Sequence, residues 1–261
     1  RAERLRVACE APGENFDPVR HYWFPYAFWR HDLKPDHEPA FDPGDRLQMA
    51  VFLSRIVHPT SVGLSHAAVL RTFPDGRTEI RPLQAGFTAS NAFVVDPAID
   101  WLLPEDLTAL RNLYAGFEAA TVSERLRVCI WNIEMAFRSY YVEARWPLLT
   151  TALEALVRVR DERLPKGRHA GSTKVFVDRL LAIGQKVPAL ALPEQELRSM
   201  YEHRSGFVHG TSFGQLDPAV RALFASQEAL ARGIVRAALE NPAFAGIFST
   251  DASLSAALPL R

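Results

Sequence analysis

The prolines of this chain are concentrated toward its N-terminal end, where 11 of the 18 precede Asp106. Proline fixes φ and lacks the backbone N–H that a helix interior needs, so this density argues against long helices there. Residues 104–261 instead carry apolar side chains at helical spacing. We therefore predict an α+β chain in two parts: a β-rich or α+β N-terminal domain at residues 1–103, followed by an all-α helical domain at residues 104–261.

The N-terminal domain contains a candidate β-hairpin. Ala68–Phe73 and Thr78–Arg81 are predicted to be short strands around a turn at Pro74–Arg77. The apolar run Met49–Leu53 is compatible with a buried strand and with a helix, because so short a run does not separate the two. The aromatic cluster from Trp23 to Trp29 is predicted to be core rather than a ligand platform.

The helical domain is predicted from apolar residues that recur every three or four positions. Pro104 followed by two acids is typical of a first helical turn, and Thr121–Glu124 fits a capping box that opens a second helix. Pro147 is expected to break or kink the run that follows. Further helices are expected to open at Ser172, Pro193 and Asp217. The core-facing positions predicted behind the capping box are Leu126, Cys129, Ile130, Ile133, Phe137, Tyr140 and Tyr141.

The charge balance bears on the partners of the chain. Thirty basic and 30 acidic residues cancel, so any contact with nucleic acid has to come from a local patch. No apolar run approaches the roughly 20 residues that span a bilayer, so we expect no membrane partner. Cys9 and Cys129 do not form a disulfide framework, which makes a reducing cytoplasm the simplest compartment.

Motifs for cofactors and metals are absent from the sequence. It contains neither a phosphate-binding P-loop nor a dinucleotide fingerprint, and we predict no cofactor. His31 and His37 flank Asp32 and Asp36, but no third ligand follows at a telling spacing. We therefore predict no metal site.

Arg204 is the least expected residue of the helical domain. It lies three residues after Tyr201 and four before Val208, in register with the apolar positions of the helix that opens at Pro193. A guanidinium on a packing face must be paired, or must open onto a cleft or a subunit boundary, because burying it alone is prohibitively costly. A structural ion pair and a functional site are both compatible with this position. The neighbouring His203 is predicted to be exposed to solvent.

His209 follows Arg204 by five residues, which separates their Cβ directions by roughly 140° on an unbroken helix. Gly206 weakens the helix between them, and Gly210 is typical of a residue that ends it. Convergence of Arg204 and His209 therefore requires a local distortion or the same motif on a second copy. The alternative is that His209 only interacts with the helix dipole.

A family resemblance is carried by the signature Tyr201, Arg204, Ser205, Val208, His209 and Gly210, and by the upstream stretch Ala152-Leu-Glu-Ala-Leu156. These residues resemble the HEPN superfamily, and within it the Apea-like HEPN branch. The resemblance covers roughly residues 126–239 and does not extend to the first hundred. It implies a HEPN-like helical bundle that often forms a homodimer. Many HEPN proteins are metal-independent endoribonucleases of toxin, antiphage and RNA-processing systems.

Carried over by position, the resemblance implies that Arg204 and His209 are the catalytic pair at a dimer cleft. His209 would act as general acid or base around the ribose 2′-hydroxyl, and Arg204 would clamp the scissile phosphate. Ser205 either orients Arg204, binds phosphate or is a helix-surface serine. Glu154 either pairs with Arg204 across the bundle or is solvated, and Tyr201 is a supporting residue. A non-catalytic HEPN module for dimerisation, or for binding a nucleotide or a protein, is the alternative function.

A locally basic stretch follows the Ala-Leu-Glu-Ala-Leu segment. It is either a patch that tracks the phosphates of RNA or a solvated loop. The residues predicted to contact RNA are Arg158, Arg160, Arg163, Lys166, Arg168 and Lys174. For the N-terminal domain we predict a ligand or protein partner that the sequence does not identify.

Overall fold

The computed structural model describes residues 43–58, 67–72, 75–83, 102–103, 105–119, 122–139, 141–159, 171–208 and 217–261. The chain divides into two compact units. Of the described residues, those up to Met49 and those at 67–83 belong to the first unit. The stretch from Ala50 to His58 and the described residues from 102 onward belong to the second.

The first unit contains a two-stranded antiparallel hairpin at the place where the sequence predicts one. Strand β1 spans Ala67–Thr72 and strand β2 spans Thr78–Leu83, with Thr72 opposite Thr78. The connecting turn includes Gly76, whose φ of +83° lies in the region that favours glycine. The backbone N–H of Arg77 donates to Asp75 Oδ1 at 3.0 Å, and this bond lowers the pKa of Asp75.

Helix α1 spans Pro43–Val57 and includes the apolar run Met49–Leu53. The strand alternative for that run is wrong. Val51, Phe52 and Leu53 are buried together with Ile56, one turn further along, so the apolar positions extend beyond the run at helical spacing. The β-rich character predicted for residues 1–103 stays a prediction, because most of them lie outside the described part of the chain.

The second unit is built from helices, and its described residues within 104–261 contain no strand, which confirms the all-α prediction for that part. None of the described helices combines the length and the apolar character that crossing a membrane requires. The division at 103/104 stays a prediction, and residues 50–58 of α1 also belong to this unit. The helices are α2 Asp106–Ala119, α3 Glu124–Arg138, α4 Val142–Val157, α5 Ser172–Lys186, α6 Glu194–Val208, α7 Pro218–Glu240, α8 Pro242–Gly246 and α9 Asp251–Ala257.

Two expectations about the helix ends are wrong. The cap of α3 is Ser123, whose hydroxyl accepts the N–H of Leu126 at 3.3 Å, rather than the predicted Thr121. Ser123 directly precedes the first helical residue, where a cap side chain reaches the free N–H groups. Tyr141 is 71% exposed instead of facing the core, because α3 has already ended at Arg138.

Pro147 does not break the chain between helices, and it lies inside α4. The break comes earlier, at residues 139–141, where the Ser139 N–H closes α3 onto Met135 and Ala136. Pro147 is in the second turn of α4, so its missing N–H removes a single helical hydrogen bond. The α3–α4 connection therefore lies before Pro147, between Arg138 and Val142.

Helix α4 is central to the unit and packs against α3, α5, α6 and α7. Its Trp146 is fully buried and donates its Nε1–H to the carbonyl of Met200 on α6 at 3.0 Å. Gln227 of α7 donates to the Thr150 hydroxyl of α4 at 2.8 Å. These bonds fix α6 and α7 against α4, and so fix the side chains that face one another across them.

Two buried carboxylates each form ion pairs with two arginines. Glu228 of α7 accepts from Arg145 of α4 at 3.1 Å and lies 3.9 Å from Arg232 one turn along α7. Burial lowers the pKa of both arginines, and the charge of Glu228 opposes that effect. Removal of the carboxylate would take the negative charge of Glu228 away from both arginines.

The second carboxylate is Glu134 of α3. It accepts from Arg55 of α1 at 2.8 Å and from Arg138 of its own helix at 2.9 Å. Burial lowers the pKa of Arg55, whereas the charge of Glu134 raises it. The C-terminal half of α1 is therefore tied to the helical unit by an ion pair as well as by its apolar side chains.

A glycine sets the approach of α2 to α7. A Cβ atom placed on Gly116 would lie 2.2 Å from the carbonyl oxygen of Leu239, which is backbone and cannot move aside. We expect Gly116→Ala to lower the free energy of unfolding by about 1–3 kcal/mol in urea denaturation, as for other overpacked sites. Gly246→Ala is the control, because nothing lies within 4 Å of its Cβ position. Equal stability of the two variants would contradict the assigned close contact.

Candidate functional site

The candidate site lies toward the end of α6. Leu197 and Met200 of this helix are buried, and Arg204 lies one turn after Met200 with 31% of its side chain exposed. Arg204 therefore occupies the border of the packed face, which explains why it falls in register with apolar positions. The side chain of Ser205 and the whole of His209 lie outside the residues whose positions the structure describes.

Glu154 of α4 faces Arg204 across the bundle. Its side chain is only 10% exposed, and its Oε2 lies 3.5 Å from Arg204 Nη2. The hydroxyl of Tyr201 donates to the other carboxylate oxygen, Oε1, at 3.1 Å. The sequence left two alternatives for Glu154, an ion pair with Arg204 and a solvated carboxylate. The structure shows the ion pair. Tyr201 and Arg204, three residues apart on α6, thus share one buried acceptor on α4.

The guanidinium of Arg204 also packs against an aromatic ring. Its Cζ lies 5.8 Å from the centroid of the Tyr201 ring, and that ring contacts Phe176 of α5 with centroids 5.1 Å apart. Arg204 Nε is buried and has no hydrogen-bond partner among the described residues. Buried donors are rarely left unpaired, so this N–H marks a position where a further acceptor would be accommodated.

A second arginine approaches the same carboxylate. Arg158 follows the last residue of α4, with 64% of its side chain exposed, and its Nη1 lies 4.0 Å from Glu154 Oε1. Two guanidinium groups therefore share one carboxylate, which leaves one net positive charge in the cluster. A net positive charge at the surface end of the cluster favours the approach of an anion.

The rest of the predicted RNA-binding stretch divides into two groups. Arg160, Arg163, Lys166 and Arg168 lie outside the described residues. Lys174, on α5, forms an ion pair with Asp178 at 2.6 Å, so its charge is compensated within its own helix. Among the described residues of the stretch, Arg158 is therefore the one that contacts Glu154. Glu154, Arg158, Tyr201 and Arg204 are here called the Glu154 cluster.

The environment of Tyr201 changes its acidity. Burial raises the pKa of its phenol most, the negative charge of Glu154 raises it further, and a hydrogen bond with Ser172 acts in the opposite direction. Neither Ser172 nor Phe176 was a candidate site residue from the sequence. Both lie on α5, and residue spacing along α6 does not show which residues of another helix contact Tyr201.

The raised pKa of Tyr201 gives a pH-dependent stability. The folded state favours the protonated phenol, so this contribution is complete below the unfolded pKa of about 10 and is lost as pH rises through the folded pKa. We expect the wild type to lose its stability advantage over Tyr201→Phe above about pH 10, where only the wild-type residue titrates. Urea denaturation of both proteins across that range measures it. Parallel pH dependences would contradict the assignment.

The prediction that His203 is exposed to solvent is wrong. It is half-buried, and its ring centroid lies 5.3 Å from that of Trp146. The Trp146 side chain of α4 packs against α6, where its Nε1–H donates to the Met200 carbonyl, and it therefore covers part of the His203 ring. His203 also borders a groove of about 430 Å³ between α6 and the start of α7. The groove is lined by Pro193, Gln195, Glu196, Ser199, His203, Ala219, Val220 and Leu223.

Metal ligands do not cluster in the described part of the chain, where no group of three or more His, Cys, Asp or Glu side chains has a suitable arrangement. The residues that the sequence singled out as partial ligands, His31, Asp32, Asp36 and His37, lie outside it. The Glu154 cluster itself combines one carboxylate with two guanidinium groups, a donor set suited to anions rather than to cations.

Comparison with known proteins gives no assignment: no family model, no curated protein and no solved structure matches this chain.

Proposed function

We propose that the chain is a metal-independent endoribonuclease of the HEPN type, in which Arg204 and His209 cleave RNA at a cleft shared by two copies. A toxin or antiphage defence system is the biological setting that the resemblance implies. The observation that carries the proposal is the state of Arg204. It is held by Glu154 at 3.5 Å, it stays 31% exposed, and its buried Nε lacks a partner among the described residues.

The Glu154 cluster supports a role for Arg204 in binding phosphate. Glu154 and the Tyr201 ring fix the guanidinium from two sides, so little side-chain entropy remains to be lost when an anion binds. Arg158 supplies a second positive charge at the same carboxylate. A phosphate of the RNA backbone is an anion that such a pair of arginines recognises with charge-assisted hydrogen bonds.

The chemistry follows from the two residue types. His209 takes the proton of the ribose 2′-hydroxyl, a role for which imidazole is suited as a side-chain type, and the 2′-oxygen attacks the adjacent phosphorus. Arg204 stabilises the charge that develops on the phosphate oxygens. The 5′-oxygen leaves with a proton, which the His209 of the second copy can supply. The products are a 2′,3′-cyclic phosphate and a 5′-hydroxyl.

A direct test compares the wild type with His209→Ala on a single-stranded RNA in the presence of EDTA. We expect the wild type to cut and the variant to lose at least about 100-fold in rate, within the usual effect of a general acid–base residue. A thermal melt of both proteins shows whether the variant is folded. Cleavage at the same rate by a folded His209→Ala would refute the assignment of His209.

A second candidate function is a non-catalytic HEPN module that dimerises, or that binds a nucleotide or a protein. The observation in its favour is that Glu154 already provides Arg204 with a counter-ion within the chain. On this account Arg204→Ala lowers the melting temperature or weakens the dimer, because a charge pair is lost, while the wild type leaves RNA intact. Wild-type cleavage that requires Arg204 would exclude it.

A further inference from the structure

Helix α3 presents a row of side chains away from the core of the bundle. Glu124, Val128, Trp131, Met135 and Arg138, here called the α3 stripe, follow one another at steps of four, three, four and three residues. They fall within roughly 80° of arc on a helix of 3.6 residues per turn. Trp131 is 61% exposed and Val128 is 37% exposed, both large apolar residues open to solvent. Such a spacing is that of a coiled-coil seam.

The opposite face of α3 is packed in the core. Leu126, Cys129, Ile133 and Phe137 are buried there, against the helices that pack on α3. The α3 stripe is therefore not needed for the core of the described unit. An exposed tryptophan flanked by further apolar side chains at seam positions is typical of an interaction surface.

The α3 stripe is complementary to itself when its direction is reversed. If two copies lie antiparallel about a two-fold axis at Trp131, each Glu124 lies opposite an Arg138, and each Val128 lies within one residue, about 1.5 Å along the helix axis, of a Met135. The two Trp131 rings then meet at the centre. A parallel arrangement would instead place Glu124 on Glu124 and Arg138 on Arg138, and like charges in contact disfavour it.

The charges at the ends of the α3 stripe are suited to this pairing. Glu124 is exposed at the first turn of the helix. Arg138 uses its Nε in the ion pair with Glu134, and its side chain remains 28% exposed. Glu134 orients Arg138, which lowers the side-chain entropy lost when the guanidinium meets an acid on another molecule.

We propose that the α3 stripe is a self-association surface, on which the same helix of a second copy of this chain lies antiparallel. Helix α3 is about 22 Å long, so one helix pair buries less than the ~1,000 Å² expected of a stable interface. The dimer it forms is reversible and depends on concentration. None of its residues belongs to the Glu154 cluster, so this contact is separate from the cleft shared by two copies in the proposed ribonuclease. The inference therefore holds whether or not the chain cleaves RNA.

Sedimentation velocity of the full chain over a wide concentration range tests the proposal. We expect the mass of the wild type to rise with concentration, from monomer to dimer, or from dimer to tetramer where two copies already share the proposed cleft. Trp131→Gln is expected to raise the dissociation constant of this step at least about tenfold, as truncation of a central aromatic anchor does. Tyr141→Gln is the matched control, since this aromatic residue is 71% exposed and lies off the α3 stripe. The control is expected to dimerise like the wild type, and circular dichroism verifies that each variant is folded.

A charge reversal tests the antiparallel direction. Glu124→Lys places a lysine opposite Arg138 of the second copy, so we expect weaker association that recovers as salt screens the repulsion. Arg138→Glu is expected to self-associate weakly as well, and an equimolar mixture of the two variants to recover the wild-type affinity through mixed dimers. Recovery in the mixture requires both variants to be folded, which circular dichroism verifies for each, because Arg138→Glu also removes the ion pair with Glu134.

Three results would overturn the proposal. The first is a wild type whose mass does not rise with concentration, and the second is a Trp131→Gln variant whose association with rising concentration equals that of the wild type. The third is a Trp131→Gln variant with a lowered melting temperature and an unchanged mass, because another part of the same chain would then cover the α3 stripe. RNA cleavage is not measured in these experiments, so their failure is distinguishable from failure of the proposed ribonuclease activity.

Discussion

Arg204→Ala is expected to lower the rate of RNA cleavage by about 100- to 1,000-fold, the usual loss when one donor to a developing oxyanion is removed. The reason is geometric as well as electrostatic. Glu154 and the ring of Tyr201 contact the guanidinium from two sides and orient it before a phosphate binds. Arg204→Lys is expected to recover little of this loss, because an ammonium lacks the planar fork of donors.

Arg158→Ala is the matched control for Arg204→Ala. Both arginines approach Glu154, but Arg158 is farther from it, at 4.0 Å, and 64% exposed. Its removal is expected to weaken RNA binding in a salt-dependent manner and to leave the rate on saturating RNA nearly unchanged. Single-turnover rates and melting temperatures are measured for all variants. If Arg204→Ala keeps the wild-type rate, or if both variants lose it equally, Arg204 does not have the assigned role.

Glu228→Gln is expected to lower the free energy of unfolding by about 3–5 kcal/mol, because one partner of a buried ion pair is lost and the other stays. Glu228 is 1% exposed and accepts from Arg145 at 3.1 Å, with Arg232 a further neighbour at 3.9 Å. An amide of nearly the same shape keeps both guanidinium groups in place and removes the negative charge of Glu228. Urea denaturation monitored by circular dichroism measures the loss.

Glu240→Gln provides the comparison within the same helix. Glu240 also pairs with an arginine one turn away, Arg236, at 3.0 Å, but both side chains are about two-fifths exposed. Solvent-exposed pairs of this spacing contribute about 0.3–0.5 kcal/mol, so this variant is expected to be nearly as stable as the wild type. Losses of equal size at Glu228 and Glu240 would contradict the role given to burial.

The helices of residues 104–261 could be predicted from the sequence where one face is strongly apolar. Leu126, Cys129, Ile133 and Phe137 were expected on the core side of α3 and are buried there. The ends of helices were less predictable, because Thr121 and Ser123 are chemically equivalent caps and only the backbone geometry selects between them. Proline at position 147 was expected to interrupt a helix, yet its place in the second turn of α4 made the interruption small.

The candidate site was predictable in part. The register of Arg204 on α6 indicated a guanidinium that needs a partner, and Glu154 became its candidate only through the family resemblance. Spacing along one helix does not reveal which residue of another helix lies opposite. The same reason explains why the contacts of Arg145 with Glu228 and of Arg55 with Glu134 were not expected, since these partners are 83 and 79 residues apart.

The chemistry of the cut ends tests the proposed ribonuclease activity most directly. The wild-type protein is incubated in EDTA with an RNA, and with the same RNA carrying a 2′-deoxy sugar at the cut site; the products are identified by mass spectrometry. We expect a 2′,3′-cyclic phosphate and a 5′-hydroxyl from the first RNA, and no cut at the deoxy position. An RNA left intact by the folded wild type, or a cut that persists without the 2′-hydroxyl, would contradict the proposed activity.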